Sequence, residues 1–348
     1  MTNNTLTALK GVKVGHATYL DKLTGCTVIL FDKDYPVAYV ANGGTPRVYD
    51  ATTLEPGKSF YRKHALYISD GAHLGLETGA YIAKALREQN IGYKMGENII
   101  PSISGACVQS LGVYASKINP EFGAEAVKNV SDAPVQSGNV GAGTGTSVGK
   151  FSFNPGDVSM AMKAGVGSAK IELGGGAIIT ALSVVNALGN VVGPDGKIIA
   201  GNRHDKDTPT FRTFEGMGDF LTEKSNTTIS VVGINIKLKS QEDLRRIAEI
   251  AAHGQIRAID PVNTSLDGDT VFVFSTEEID LPLSSIGKAI ENGDWYKVSV
   301  DIIAQTAAKA IQESIYDACR QAETIKLAGA YKGVVPSAKD HSTGDAKS

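Results

Sequence analysis

The chain has 348 residues, 42% of them hydrophobic and 20% charged, which is enough apolar material for one large or two ordinary domains with a substantial core. A formal net charge of −3, with basic residues spread along the chain, lacks the basic footprint of a nucleic-acid binder. Thirty-nine glycines, against a usual share of about 7%, predict many tight turns and close backbone approaches and argue against a helical bundle.

In chain order, the N-terminal segment "MTNNTLTALKGVKVG" has no apolar core of the kind a secretory signal carries. "CTVILF" (26–31) and "PVAYVA" (36–41) read as two strands separated by "DKDY". "LGLETGAYIAKALREQ" (74–89) has apolar residues at helical spacing, and "PEFGAEAVKNV" (120–130) reads as a weaker helix. "GAIITALSVVNAL" (176–188) reads as a strand buried on both faces, closed by Asn186 and Gly189. The apolar stretch around it is interrupted by polar residues and is too short to span a bilayer, so no membrane partner is expected.

"TTISVVGINIKL" is rich in β-branched residues, as a half-buried strand should be. Ser240 followed by Asp243 resembles a capping box opening a helix over 240–258, with Leu244, Ile247, Ala248 and Ala251 as its apolar face. "PVNTSLDGD" (261–269) is turn chemistry, "TVFVFST" (270–276) a further strand, and 301–322 a long amphipathic helix. No repeat or linker divides the chain, so residues 1–330 are expected to form a single α/β domain, with 331–348 as a loose tail.

Several familiar motifs fail. "GAGTGTSVGK" (141–150) has Thr144 and Phe151 where a phosphate-binding loop needs glycine and Ser or Thr, and Thr146 where a dinucleotide fingerprint needs its third glycine. The six histidines show no metal-ligand spacing, so neither metal nor cofactor is expected. Cys26, Cys107 and Cys319 are odd in number and far apart, which suits free thiols in a reducing compartment and a cytoplasmic location.

The stretch "KSNTTISVVGINIKL" (224–238) admits three readings. Asn226-Thr227-Thr228 matches a glycosylation acceptor, but so do Asn129-Val130-Ser131 and Asn263-Thr264-Ser265. It also fits a polar turn before a strand. The third reading is a peptide bond that the protein cuts itself. A threonine that becomes the first residue of a chain can use its own α-amine as the base that activates its hydroxyl. On residues alone, Asn263-Thr264 is an equal match for that junction.

Ordered blocks along the chain carry a resemblance. "VKVGHATYLDKLTGCTVILF" (12–31), "NGGTPRVYDATTLEPG" (42–57), "DGAHLGLETGAYIAKALREQNIGY" (70–93), "GAGTGTSVGK", "NTTISVVGINIKL" and "SLDGDTVFVFSTEEIDLP" (265–282) resemble the self-processing aminopeptidases. That family includes DmpA-type L-aminopeptidase/D-esterases, β-aminopeptidases and 6-aminohexanoate-oligomer (nylon-oligomer) hydrolases, and the later blocks are most similar to the last branch. The resemblance implies an αββα sandwich of the N-terminal-nucleophile type. It also implies cleavage at Asn226–Thr227 into 1–226 and 227–348, and a homo-oligomer (tetramer or larger) of cleaved heterodimers.

The same resemblance implies Thr227 as nucleophile, Lys150 as a nearby cation, Asn186 as an oxyanion donor, and Asp267 and Asp269 as an acidic pair. The implied substrate is a small amide or peptide, either a 6-aminohexanoate oligomer cut internally or a short peptide trimmed from its N-terminus. Cys107 stands where the family often has a tyrosine and is a candidate substrate contact; Asp70 and Ala72 also depart from the family's glycine and serine. These departures leave open a non-catalytic, small-molecule-binding member.

Overall fold

Alternating side chains decide the layering. In a computed structural model that describes residues 3–150, 160–204, 210–214, 226–280, 295–327 and 333–341, the strands, apart from several other short ones, are β1 (Val12–Tyr19), β2 (Thr24–Ala41), β3 (Arg62–Asp70), β4 (Ile103–Val108), β5 (Val166–Gly174), β6 (Ala177–Asn186), β7 (Thr227–Lys237), β8 (Thr270–Asp280), β9 (Ile325–Leu327) and β10 (Gly333–Val335). The main helices are α1 (Thr78–Glu88), α2 (Phe122–Lys128), α3 (Gln241–Ala251), α4 (His253–Ala258) and α5 (Trp295–Gln321). The last residues of the "TEEIDLP" block, and those just before Asn226, lie outside the described residues.

One ladder runs β5-β6-β7-β8-β2-β3-β4, with β1 paired to β2. All of these pairs are antiparallel except β7–β8 and β3–β4. The expected pair of strands at 26–31 and 36–41 is instead the single 18-residue β2. Its first half pairs with β1 and β3, and residues Val37–Ala41 pair with β8. A register irregularity between Leu30 and Tyr35 marks the place where the strand passes from one sheet to the other.

Successive side chains on a strand point to opposite faces. Ile29, Leu66, Ile68, Val108, Leu182, Val184, Ile229, Val231, Phe272 and Phe274 therefore form one core between the two sheets. On the outer face of the first sheet, Val28, Ala65 and Tyr67 meet Ile82 and Leu86 of α1 and Phe122 of α2. On the outer face of the second, Ile179, Val232, Ile234 and Val273 meet α3 and α5. The order helix, sheet, sheet, helix is the αββα sandwich.

The strand beginning at Thr227 is buried on both faces through Ile236, where a half-buried strand was expected, because helices cover the face the other sheet does not. The capping box forms: Ser240 accepts from the Asp243 amide and Asp243 from the Ser240 amide. Leu244, Ile247, Ala248 and Ala251 are all buried, as their spacing predicts, but the helix breaks at Ala252 into α3 and α4. Residues 333–335 of the expected loose tail pair with β9, and Val335 is fully buried.

Candidate active site

The crossover places the candidate residues together. β7 leads through α3 and α4 into β8, and the two strands run parallel, so their starts lie side by side. Thr227 opens β7, and Asp267 and Asp269 immediately precede β8. β6 is antiparallel to β7, so its last residue, Asn186, is the register partner of Thr227. Past Asn186 the chain stays near Lys150, since Lys150 N donates to Leu188 O at 2.8 Å and Gly149 N to Gly189 O at 2.9 Å.

Asn226 lies in a parallel bridge with Asp267. Its amide donates to Leu266 O (3.0 Å), and its carbonyl accepts from Gly268 N (2.7 Å). The Thr227 hydroxyl donates to that same carbonyl. Gly268 is required there: a Cβ would lie 2.9 Å from Thr227 Oγ1 and 2.9 Å from Thr45 O. Segment 42–45 straps the acidic loop, with Asn42 N on Asp269 O (3.0 Å) and Thr45 N on Asp267 O (2.8 Å).

Asp269 accepts from Thr228 N (2.6 Å) and Asn263 N (2.9 Å), and Asp267 accepts from Thr264 N (2.8 Å). The rival junction Asn263-Thr264 thus supplies two of the three amides that hold the acidic pair and does not open a strand. Burial pushes both carboxyls up, Asp269 to about 7, and the neighbouring Asp267 charge adds to the rise at Asp269. Lys150 and the backbone donors act in the opposite direction. Oδ1 of Asp267 is buried without a hydrogen bond among the described residues.

Lys150 Nζ donates to the Asn186 carbonyl at 2.9 Å. Asn186 is fully buried; its Nδ2 donates to Gln109 O (2.9 Å) and its Oδ1 accepts from Ser147 N (3.3 Å). An amide nitrogen carries two hydrogens, so one is used on Gln109. Thr227, Lys150, Asn186, Asp267 and Asp269 are therefore brought together. Cys107 is not: its side chain packs with Tyr67 and Ile82 in the layer between β4 and α1, where burial pushes the thiol up. That position does not suit the substrate contact expected of Cys107. Sequence reasoning missed Gln109, Ser147 and Gly268 because each acts through its backbone, which leaves no side-chain signal.

Among the described residues no cluster of three or more His, Cys, Asp or Glu could hold a metal ion, and no helix is long and apolar enough to cross a membrane.

The fold is that of the N-terminal-nucleophile (Ntn) hydrolases. It matches the L-aminopeptidase D-Ala-esterase/amidase of Ochrobactrum anthropi, a variant of that fold, with a TM-score of 0.67 at 20% identity over 96% of this chain and 91% of the other. Residues 4–332 match peptidase family S58, and the chain belongs to that family; it is an amide-bond hydrolase. A 6-aminohexanoate-oligomer endohydrolase of Kocuria sp. is 32% identical over 282 residues, 78% of this chain and 75% of the relative. An uncharacterized aminopeptidase of Mycobacterium tuberculosis is 28% identical over 356 residues, 96% of this chain and 99% of the relative.

Proposed function

We propose that the protein cuts itself between Asn226 and Thr227 and then hydrolyses small amides with Thr227 as an N-terminal nucleophile. The observation that carries this reading is the double engagement of one carbonyl. The Asn226 oxygen accepts from Gly268 N at 2.7 Å while the Thr227 hydroxyl, the group that would attack its carbon, hydrogen-bonds to the same oxygen. A donor aimed at an oxygen that gains charge in the transition state is the usual device of acyl transfer.

In the first reaction Thr227 Oγ1 adds to the Asn226 carbonyl carbon and its proton passes to the Thr227 nitrogen. The Asn226–Thr227 C–N bond breaks, leaving an ester and a free amine. Water then cleaves the ester, giving a carboxylate on residues 1–226 and a free Thr227 α-amine on 227–348. The two pieces stay together because β7 pairs with β6, which precedes the cut, and is buried on both faces.

In the second reaction the α-amine, with an ordinary pKa of about 7.7–8, takes the hydroxyl proton as Oγ1 attacks a substrate amide. Lys150 favours the neutral amine, and the acidic pair orients it through charge-assisted hydrogen bonds. Asn186 Nδ2 donates to the tetrahedral oxyanion. The amine product leaves, and water hydrolyses the acyl-enzyme.

The substrate class follows the relatives. Over 282 residues the likeness to a 6-aminohexanoate-oligomer endohydrolase supports internal cleavage of linear ω-amino-acid oligomers. The likeness to an aminopeptidase over nearly the whole chain supports a second reading, release of N-terminal residues. Turnover of a 6-aminohexanoate oligomer but not of aminoacyl p-nitroanilides would favour the first, and the reverse the second. Quenching with an activated ester followed by peptide mapping should find the acyl group on Thr227; labelling confined to another residue would contradict the mechanism.

A further inference from the structure

Asp70 ends β3 and is fully buried, yet the mechanism above does not use it. Its two oxygens both engage one residue, Oδ1 accepting from Ser110 N (2.9 Å) and Oδ2 from Ser110 Oγ (2.7 Å), with the Thr24 hydroxyl and the Gly71 amide as further, weaker donors. A carboxylate is the side chain that offers two acceptor oxygens and no donor, so it fits two donors from a single residue. Burial pushes this carboxyl up, and the donors from Ser110, Thr24 and Gly71 partly offset that cost, the two from Ser110 most.

Ser110 sits in the turn that meets both halves of the candidate site. The preceding carbonyl, Gln109 O, receives Asn186 Nδ2 at 2.9 Å. The following amide, Leu111 N, donates to Gly145 O at 3.0 Å, inside the glycine-rich segment that ends in Lys150. Ser110 Oγ also accepts from Gly112 N at 3.1 Å, and a Cβ on Gly145 would come within 2.5 Å of that oxygen. The Ser110 turn and the glycine-rich segment are thus in direct contact, with Gly145 too close to Ser110 Oγ for any side chain to stand between them.

We propose that Asp70 is a positioning residue. It locks the Ser110 turn, which sets the direction of the Gln109 carbonyl, and that carbonyl orients the Asn186 amide toward the reacting carbonyl. The inference rests on the reading of Asn186 as oxyanion donor. Asp70→Asn keeps the shape but offers one acceptor oxygen instead of two, so the Ser110 hydroxyl loses its charge-assisted bond and must turn its proton to Leu23 O.

The test is a double-mutant cycle of Asp70→Asn and Ser110→Ala in the full-length chain. It is read by kcat and KM for amide turnover and by hydrogen exchange of the Asn186 side-chain amide, followed by NMR. Expected are a tenfold or larger fall in kcat for Asp70→Asn with KM changed less than threefold, and faster exchange at Asn186 Nδ2. The double variant should be no worse than the poorer single, since both remove the same contact. Wild-type kcat and Asn186 exchange in folded Asp70→Asn would overturn the inference, as would strictly additive effects. Loss of melting temperature with unchanged kcat would show a purely structural role and overturn it too. If the wild type turns over no amide, the functional reading fails, and Asn186 exchange still decides whether Asp70 positions that side chain.

Discussion

Asn186 and Thr227 are cross-strand partners, the last residue of β6 facing the first of β7 in one antiparallel register. That pairing sets the proposed oxyanion donor beside the proposed nucleophile, because a shift of one residue would turn Asn186 to the other face of the sheet. Asn186→Ala should lower turnover by about 10²–10³, the usual effect of losing one such donor. It should also cost about 1–3 kcal/mol of stability, because Ser147 N loses its buried acceptor and Gln109 O its donor. Steady-state kinetics together with thermal melting separate the two effects; wild-type kcat in a folded variant would count against the donor role.

Gly268→Ala should block processing. The new methyl would sit 2.9 Å from Thr227 Oγ1 and 2.9 Å from Thr45 O, so the acidic loop must retreat and carry Gly268 N away from the Asn226 carbonyl. Gel analysis of the variant over time should show an uncut chain; cleavage at the wild-type rate would show that this approach is not required.

The acidic pair gives stability a pH dependence of definite sign. Asp269 is raised from 3.8 to about 7, so the folded state holds its proton where the unfolded chain has lost it. The stability tied to that proton is complete below the unfolded value and is lost as pH rises through the folded one. Asp269→Asn removes this dependence. Its melting temperature relative to wild type should therefore climb between about pH 4 and pH 8. A flat difference across that range would contradict the shift.

Lys163 supplies the opposite case. Its Nζ is fully buried, donating to Gly143 O at 2.9 Å and to Ala164 O, and burial lowers its pKa from 10.5 to about 7. The folded state therefore binds fewer protons than the unfolded chain between those values, and stability rises with pH across the window. The cost of the buried cation is complete below about 7 and gone above 10.5. Lys163→Met should gain most on wild type at pH 6 and progressively less toward pH 10, as urea unfolding at several pH values would measure. A gain independent of pH would contradict the reading.

Much of the arrangement was legible in the chain. β-branched runs marked β7 and β8, Ser240 and Asp243 marked the start of α3, and "PVNTSLDGD" marked a turn before a strand, while its acidic pair was implied only by the family resemblance. Less legible was what depends on long-range partners. The single β2 could not be read because its polar "DKDY" segment, the bend between two sheets, looks like a loop. Full burial of β7 depends on helices elsewhere in the sequence. The choice between Asn226-Thr227 and Asn263-Thr264 could not be made from the dipeptides themselves. In the fold Thr227 opens β7, whereas Asn263 and Thr264 lie in the loop before β8 and give their amides to the two carboxylates.

In the proposed mechanism Thr227 becomes the start of a chain. Intact-mass analysis of purified wild type and Thr227→Ala tests it most directly. The expected result is two polypeptides, residues 1–226 and 227–348, from the wild type and a single whole chain from Thr227→Ala. A wild-type chain that stays whole on prolonged incubation, or a Thr227→Ala variant that is still cut before residue 227, would contradict it.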